Sequence, residues 1–259
     1  MNSSAIELEA SVSAWHEAID AFCRLQDVGF VESGLQGSKT IYTGVPVAVL
    51  NGVIGKRRKP DVEEFRAFAQ KFQACELPWS IQTRGEGAES TSIAGLASEY
   101  GLTQCTNLPF MTTTLDAVKD LLFEDERVVV RQLSESDSEL YNSTLAAGYE
   151  APEHVFRRLS APAILGATGM TAFVVECAEV PVATSFGVVR NGHVAVFNVS
   201  TVPEYRRRGY ARAATQAVLN AGFAAGAHTA LLHCTPAGRK VYESMGFAVR
   251  EEWLVYSRG

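Results

Sequence analysis

Residues 199–212, V-S-T-V-P-E-Y-R-R-R-G-Y-A-R, hold the densest concentration of chemically usable groups in the chain. An apolar run ends, three arginines and a glycine make a turn, and an Ala-rich segment of helical period follows at once. A helix start in that setting offers unpaired backbone N–H groups and the positive end of the helix dipole, which together hold an anion. Gly209 lets a ligand approach the backbone closely, and Ala211 leaves no side chain in its way. Arg206, Arg207 and Arg208 supply charge-assisted contacts suited to a diphosphate. The competing reading is a solvated basic turn, because R-x-x-G-x-A alone has many chance matches.

Other chemistry finds less support. The chain lacks G-x-S-x-G, H-E-x-x-H and G-x-x-x-x-G-K-[ST]. Its five cysteines, Cys23, Cys75, Cys105, Cys177 and Cys234, are scattered with no C-x-x-C, which points to neither a zinc clip nor a disulfide framework. No metal site is expected. The net charge of −6 over 259 residues argues against nucleic-acid binding through a basic face. That total hides an asymmetry. Residues 1–120 carry 10 Lys/Arg against 15 Asp/Glu, and residues 121–259 carry 13 against 14, with five arginines between Arg206 and Arg239. No uncharged apolar run is long enough for a membrane span, and the N-terminus has acids where a secretory signal would have cations, so a cytoplasmic location is the default expectation.

The elements that must position the turn are legible in the second half. Arg127–Leu133 alternates as a strand, and Ser134 and Asp137 offer caps for a helix to about Ala146. A short helical segment interrupted near Pro162 follows. Thr171–Ala178, Val182–Val189 and Val194–Thr201 read as a three-strand antiparallel meander, with Asn191-Gly192 as a hairpin turn. The small and apolar residues at 211, 214, 215, 218, 219 and 222 predict a helix after the turn. Thr229–Cys234 reads as a buried strand, Thr235-Pro236 as the start of a helix running to about Met245, Gly246 as its end, and FAVREEWLVYS as a closing strand.

The first half runs in the same order with its motifs worn. A helix around Trp15–Leu25 precedes two strands, KTIYTG and VAVLNGVI, a helix over Asp61–Cys75, the strand PWSIQT, a helix near Thr91–Tyr100 and a strand from Thr103. SEYGL before that strand parallels ESMGF at 243–247. The expected organisation is two related α/β (α+β) units, residues 1–120 and 121–259, each a mixed, mainly antiparallel sheet flanked by helices, with a boundary near Asp116–Glu126. Where the second half has its arginine turn, the first reads G-K-R-R-K-P-D, Gly55–Asp61. Pro60 removes an N–H from the helix start, which speaks against the same ligand there.

The turn at 206–211, directly after an apolar strand, resembles the acetyl-CoA-binding signature of the GCN5-related N-acetyltransferase (GNAT) superfamily. The stretch T-P-A-G-R-K-V-Y-E-S-M-G-F, residues 235–247, resembles that family's later motif, with Tyr242 lying 33 residues beyond Gly209. The resemblance covers roughly Arg127–Arg258 and implies direct acyl transfer from acetyl-CoA to an amine of a small molecule or peptide through a tetrahedral intermediate. It implies backbone contacts to the pantetheine arm from Val199 to Val202, Thr201 included. It also implies phosphate contacts from Arg206, Arg207, Arg208, Gly209, Tyr210 and Ala211, with Arg239 within reach. Tyr242 is the implied acid for the departing thiolate, against the alternative of a core aromatic. The base stays unassigned: the strand before the turn carries Asn198 and Ser200 where the family commonly has a carboxylate, and Glu204, His193 and His233 have structural readings at least as good. Glu150 and Glu153 could recognise a cationic amine. The runner-up reading is a non-catalytic acyl-CoA-binding regulatory module.

Overall fold

A computed structural model describes residues 3–85, 88–117 and 125–259. Its contacts divide the chain into two compact units. One comprises Met1–Met111, His233–Thr235 and Val249–Gly259; the other comprises Thr112–Leu232 and Pro236–Ala248. The units interleave along the sequence, because the last strand belongs with the first half. The boundary region expected near Asp116–Glu126 falls mostly on residues 118–124, outside the described residues.

In the first unit, α1 (Ser3–Arg24) precedes β1 (Phe30–Ser33), β2 (Ser38–Tyr42) and β3 (Asn51–Gly55), which pair antiparallel in that order. Helix α2 (Val62–Ala69) crosses over to β4 (Ser80–Arg84), which lies parallel to β3. Then come α3 (Ala88–Glu99) and β5 (Gln104–Thr114). The far-off β11 (Ala248–Ser257) pairs antiparallel with β4, Trp253 opposite Arg84 and Tyr256 opposite Ile81. The aromatic and branched residues of these elements, among them Phe65, Phe68, Phe72, Trp79, Ile81, Ile93 and Leu96, form one buried cluster.

Three elements differ from the sequence expectation here. Strand β1 was not anticipated; its four residues are mostly exposed, so they carry no alternation to read. The run VAVLNGVI is a strand only from Asn51, with a 3-10 turn at Ala48–Leu50. Buried Asn51 explains the switch. Its amide donates to the carbonyls of Val45, Val47 and Pro78, and its Oδ1 accepts from the Thr43 and Gly44 N–H groups, so the loop backbone is satisfied outside a sheet. Helix α2 ends at Ala69 and tightens into a 3-10 turn through Phe72, short of Cys75.

In the second unit, β6 (Val128–Gln132), β7 (Met170–Cys177), β8 (Val180–Arg190) and β9 (His193–Thr201) pair antiparallel in chain order, and β10 (Thr229–His233) runs parallel to β9. Helix α4 (Ser138–Tyr149) follows a capping box between Ser134 and Asp137, as the caps predicted. Helices α5 (Pro162–Leu165), α6 (Tyr210–Ala224) and α7 (Arg239–Glu243) complete it. Asn191 and Gly192 both take positive φ, 48° and 72°, which makes the two-residue hairpin turn the dipeptide announced. Helix α7 is shorter than expected. It starts at Arg239 after a turn over Pro236–Gly238, so Thr235 does not cap it. No described helix is long and apolar enough to cross a membrane.

Candidate functional site

The site grows from an irregularity in β9. Its ladder with β8 pairs Phe197 with Phe186 and Ser200 with Thr184, so Asn198 and Val199 together oppose Ser185. That is a β-bulge, and Asn198 takes φ 52° within it. The Thr184 hydroxyl holds the distortion: it donates to the Asn198 carbonyl at 2.9 Å and lies 2.9 Å from Ser200 Oγ. On the other side of β9, pairing with β10 runs from His193–Thr229 to Ala195–Leu231. Strand β9 continues to Thr201 beyond that ladder, so an extended ligand can lie along its edge.

The loop after β9 then turns sharply. Val202 N–H still bonds the Val182 carbonyl, Pro203–Tyr205 form a 3-10 turn, Arg206 is extended, and Arg207 and Gly209 are left-handed at φ 65° and 87°. Alternation of this kind curls successive N–H groups toward one side. Gly209 is the N-cap of α6 and offers no side chain to the helix start, and a Cβ built on it meets nothing within 4 Å. The three arginines are used differently. Arg206 is committed to structure: Nε donates to the Thr201 carbonyl at 3.1 Å, and Nη2 to the Gly148 carbonyl and Glu150, both at 2.9 Å. Arg208 donates to the Glu204 carbonyl and lies over the Tyr205 ring. Arg207 is exposed on its left-handed residue. Tyr210 is buried, its hydroxyl against Cys177, which raises its pKa, and Ala211 is half-buried at the start of α6.

The loop before α2, Gly55–Asp61, is built differently. Asp61 caps α2 by accepting from Glu64 N–H at 2.8 Å, and Glu63 and Glu64 add two acids to the first helical turn. Arg58 pairs with Glu251, and Arg57 donates to Gln36 Oε1. The start of α2 thus has a carboxylate cap on one of its N–H groups, where the start of α6 has no side-chain cap.

At the end of α4, Gly148 lies so close to β9 that a Cβ would sit 2.3 Å from Ser200 Oγ. Tyr141, one face further back on α4, is completely buried. Its hydroxyl and the Asn198 side-chain amide influence one another without meeting hydrogen-bond geometry, and burial pushes the phenol well above its ordinary pKa. Tyr149 is raised by burial as well, although its ring edge is open to solvent. Sequence reasoning missed Tyr141, because an aromatic on the apolar face of a helix carries no mark of function.

The remaining sequence candidates sit on other elements. Helix α7 packs on α6 and carries Arg239, whose Nε bonds Glu243 at 2.7 Å, and half-buried Tyr242, edge-on to Phe247 at 5.9 Å. The Tyr242 carbonyl accepts from the N–H groups of Met245 and Phe247, with Gly246 at φ 90°. His193 closes the hairpin turn through the Asn191 carbonyl. His233 and Cys234 belong to the first unit. Trp15, Phe110 and Trp253 surround the His233 imidazole at 4.6 to 5.1 Å, and burial lowers its pKa to about 3. Glu204 is exposed. Among the described residues no group of three or more His, Cys, Asp or Glu could hold a metal ion.

The sequence profile of the acetyltransferase (GNAT) family matches residues 132–247. No curated protein matches the chain. Among solved structures, a GCN5-related N-acetyltransferase from Kribbella flavida superposes with a TM-score of 0.68 at 17% identity, covering 97% of this chain and 95% of that one. One from Sphaerobacter thermophilus gives 0.58 at 15%, covering 86% and 80%. A conserved protein of unknown function from Staphylococcus epidermidis gives 0.65 at 11%, covering 92% and 97%. These likenesses establish a shared fold over nearly the whole chain.

Proposed function

We propose, from the match of the acetyltransferase (GNAT) family profile to residues 132–247, that this part of the chain is an acetyltransferase domain and that it transfers an acetyl group from acetyl-CoA to an amine of a small molecule or peptide. The observation that carries the reading is the open start of α6. A left-handed glycine stands where a capping side chain would otherwise be, after a loop whose backbone curls around it. Arg207, Arg208 and the N–H groups from Gly209 to Ala211 would hold the pyrophosphate. Arg206 contributes by tying the loop to Thr201 and Gly148. The β9 edge from Val199 to Val202 would receive the pantetheine arm through backbone hydrogen bonds.

Acetyl-CoA supplies the activated thioester; the chain supplies positioning and protons. As the new N–C bond forms and the C–S bond breaks, the departing thiolate takes a proton from Tyr242 Oη, a phenol of comparable basicity. A β9 backbone N–H beside the bulge would stabilise the oxygen on which charge develops. Only the second unit is assigned this role. In the first, Asp61, Glu63 and Glu64 set negative charge where an anion would bind. The common order of strands and crossover helices supports descent of both units from one duplicated ancestor.

Asn198 at the bulge, where a carboxylate would serve as base, favours a second reading: an acyl-CoA-binding module without turnover. Calorimetric titration with acetyl-CoA, followed by thiol release on addition of a panel of amines, separates the two. Binding with turnover supports the enzyme. Binding alone supports the module, and no binding removes both.

A further inference from the structure

Two buried polar atoms at the bulge, Tyr141 Oη and Asn198 Nδ2, lie within each other's influence yet short of hydrogen-bond geometry, and neither finds a well-formed partner elsewhere in the protein. Burying such groups unpaired costs free energy that a Phe and an apolar strand residue would avoid. Around them the setting is polar, and the Arg206 guanidinium that reaches the Thr201 and Gly148 carbonyls is neutralised by Glu150. The Thr184 and Ser200 hydroxyls lie on the same ladder, Thr201 Oγ1 is a third buried and unpartnered atom, and Gly148 brings α4 so close to Ser200 that a side chain there would clash. The ionisable residues on the elements packed against β9 are few. Helix α4 carries Glu139, Tyr141 and Tyr149, of which Glu139 is exposed at the helix start; β8 carries Arg190 at its end; α6 carries Tyr210 and Arg212 in its first turn; β10 ends in His233; and β9 itself begins with His193 at the hairpin turn. Glu150, just beyond α4, is paired with Arg206.

We propose that Tyr141 Oη accepts an N–H of the acceptor amine, with Asn198 Nδ2 directed at the same phenol oxygen, so that the amine's lone pair stays free, the acceptor is taken as the neutral amine, and weakly basic amines, such as aromatic ones, are preferred over alkylammonium ions. This rests on the acyl-transfer reading and deepens it. A neutral nitrogen already carries the lone pair that attacks the thioester carbon, so no enzyme carboxylate is needed to strip a proton beforehand. The proton it sheds once the N–C bond has formed passes to solvent water, while the sulfur receives one from Tyr242.

The test compares aniline with benzylamine as acceptors, with acetyl-CoA as donor and thiol release as the readout, between about pH 6 and 9. The expected kcat/KM for aniline is flat across that range. For benzylamine it rises about tenfold per pH unit toward the amine's own pKa, following only the neutral fraction. Tyr141→Phe should lower kcat/KM for aniline at least about tenfold with acetyl-CoA affinity within about twofold of wild type. Asn198→Asp should add an inflection to the benzylamine profile, because the strand then carries a base. Thermal melts of both variants confirm folding; should Tyr141→Phe not fold, Asn198→Asp and the wild-type profiles decide alone. A wild-type benzylamine profile that levels off well below the amine's pKa overturns the neutral seat while leaving acyl transfer standing. So does an unchanged aniline rate in folded Tyr141→Phe. Acetyl-CoA binding with no turnover of any amine overturns the transfer reading itself, and the seat with it.

Discussion

Arg84 at the end of β4 and Glu251 on β11 are joined by two hydrogen bonds, of 2.7 and 3.0 Å, across 167 positions of sequence. The Arg84 side chain is wholly buried, and its remaining donors go to Glu9 on α1 and the Lys56 carbonyl, while Trp253 Nε1 donates to Glu251. This network secures the last strand of the chain inside the first unit. Arg84→Met leaves buried Glu251 to the Trp253 indole and the largely exposed Arg58, so it should cost about 3 kcal/mol, the lower end for breaking a buried pair. Arg84→Lys should recover little, because an ammonium cannot span both carboxylates with a planar fork. Urea unfolding checks both; a loss under about 1 kcal/mol for Arg84→Met would show that the network is dispensable.

The first unit should also lose stability on mild acidification. His16 is fully buried with neither ring nitrogen hydrogen-bonded, and desolvation holds its pKa well below the ordinary value; His233 is lowered by the same cause to about 3. Folded, both stay neutral at pH values where the unfolded chain binds protons. Stability is therefore full above about pH 6.5 and falls as pH drops toward 3, by up to about 1.4 kcal/mol per pH unit for each histidine. Glu9, lowered by its bond from Arg84, adds a loss of the same sign, but only as pH falls below the ordinary carboxylate value of 4.5. Between pH 6.5 and 5 the slope accordingly belongs to the histidines. The pH slope of the urea midpoint over that window should fall to about half in His16→Gln, with His233 supplying the rest; an unchanged slope would mean that His16 is not buried neutral.

Gly209 separates backbone strain from blockage. Since nothing lies within 4 Å of a Cβ there, Gly209→Ala meets no clash, and its expected cost is the left-handed φ of 87°, roughly 1 kcal/mol. Asn, which tolerates that region, should cost less. Gly209→Glu adds a carboxylate at the anion site and should abolish acetyl-CoA binding in a fold of near-normal stability. Calorimetry on the three variants reads this directly. Undiminished affinity in Gly209→Glu would place the donor elsewhere.

What the sequence disclosed was local. Asn191-Gly192, the Ser134–Asp137 cap and Gly209 each act on their own neighbours, and each does what its residue type requires. The parallel SEYGL and ESMGF segments likewise close with the same bonds, Leu102 N–H to the Ala97 carbonyl and Phe247 N–H to the Tyr242 carbonyl. Long-range choices were not legible. Nothing in FAVREEWLVYS announces that Glu251 will meet Arg84 rather than stay with its own half, because a strand pattern states a face and not a partner. The bulge was equally hidden. It shows only in the two-against-one register of β8 and β9, and without it Tyr141 reads as core and Asn198 as an ordinary strand polar residue.

Tyr242 remains the residue whose chemistry and packing compete most closely. Its ring rests edge-on against Phe247 and its carbonyl closes α7, so its backbone role is independent of its hydroxyl. Tyr242→Phe keeps both and deletes only the proton donor. If the phenol protonates the leaving thiolate, kcat should fall by about a hundredfold with acetyl-CoA affinity nearly unchanged, the pattern of an interaction made only in the transition state. The deficit should also shrink with an acyl donor whose thiol is more acidic, since a better leaving group needs the proton less. A wild-type kcat in the variant would assign the ring to packing alone. A rise in acetyl-CoA Kd with kcat intact would assign it to donor binding.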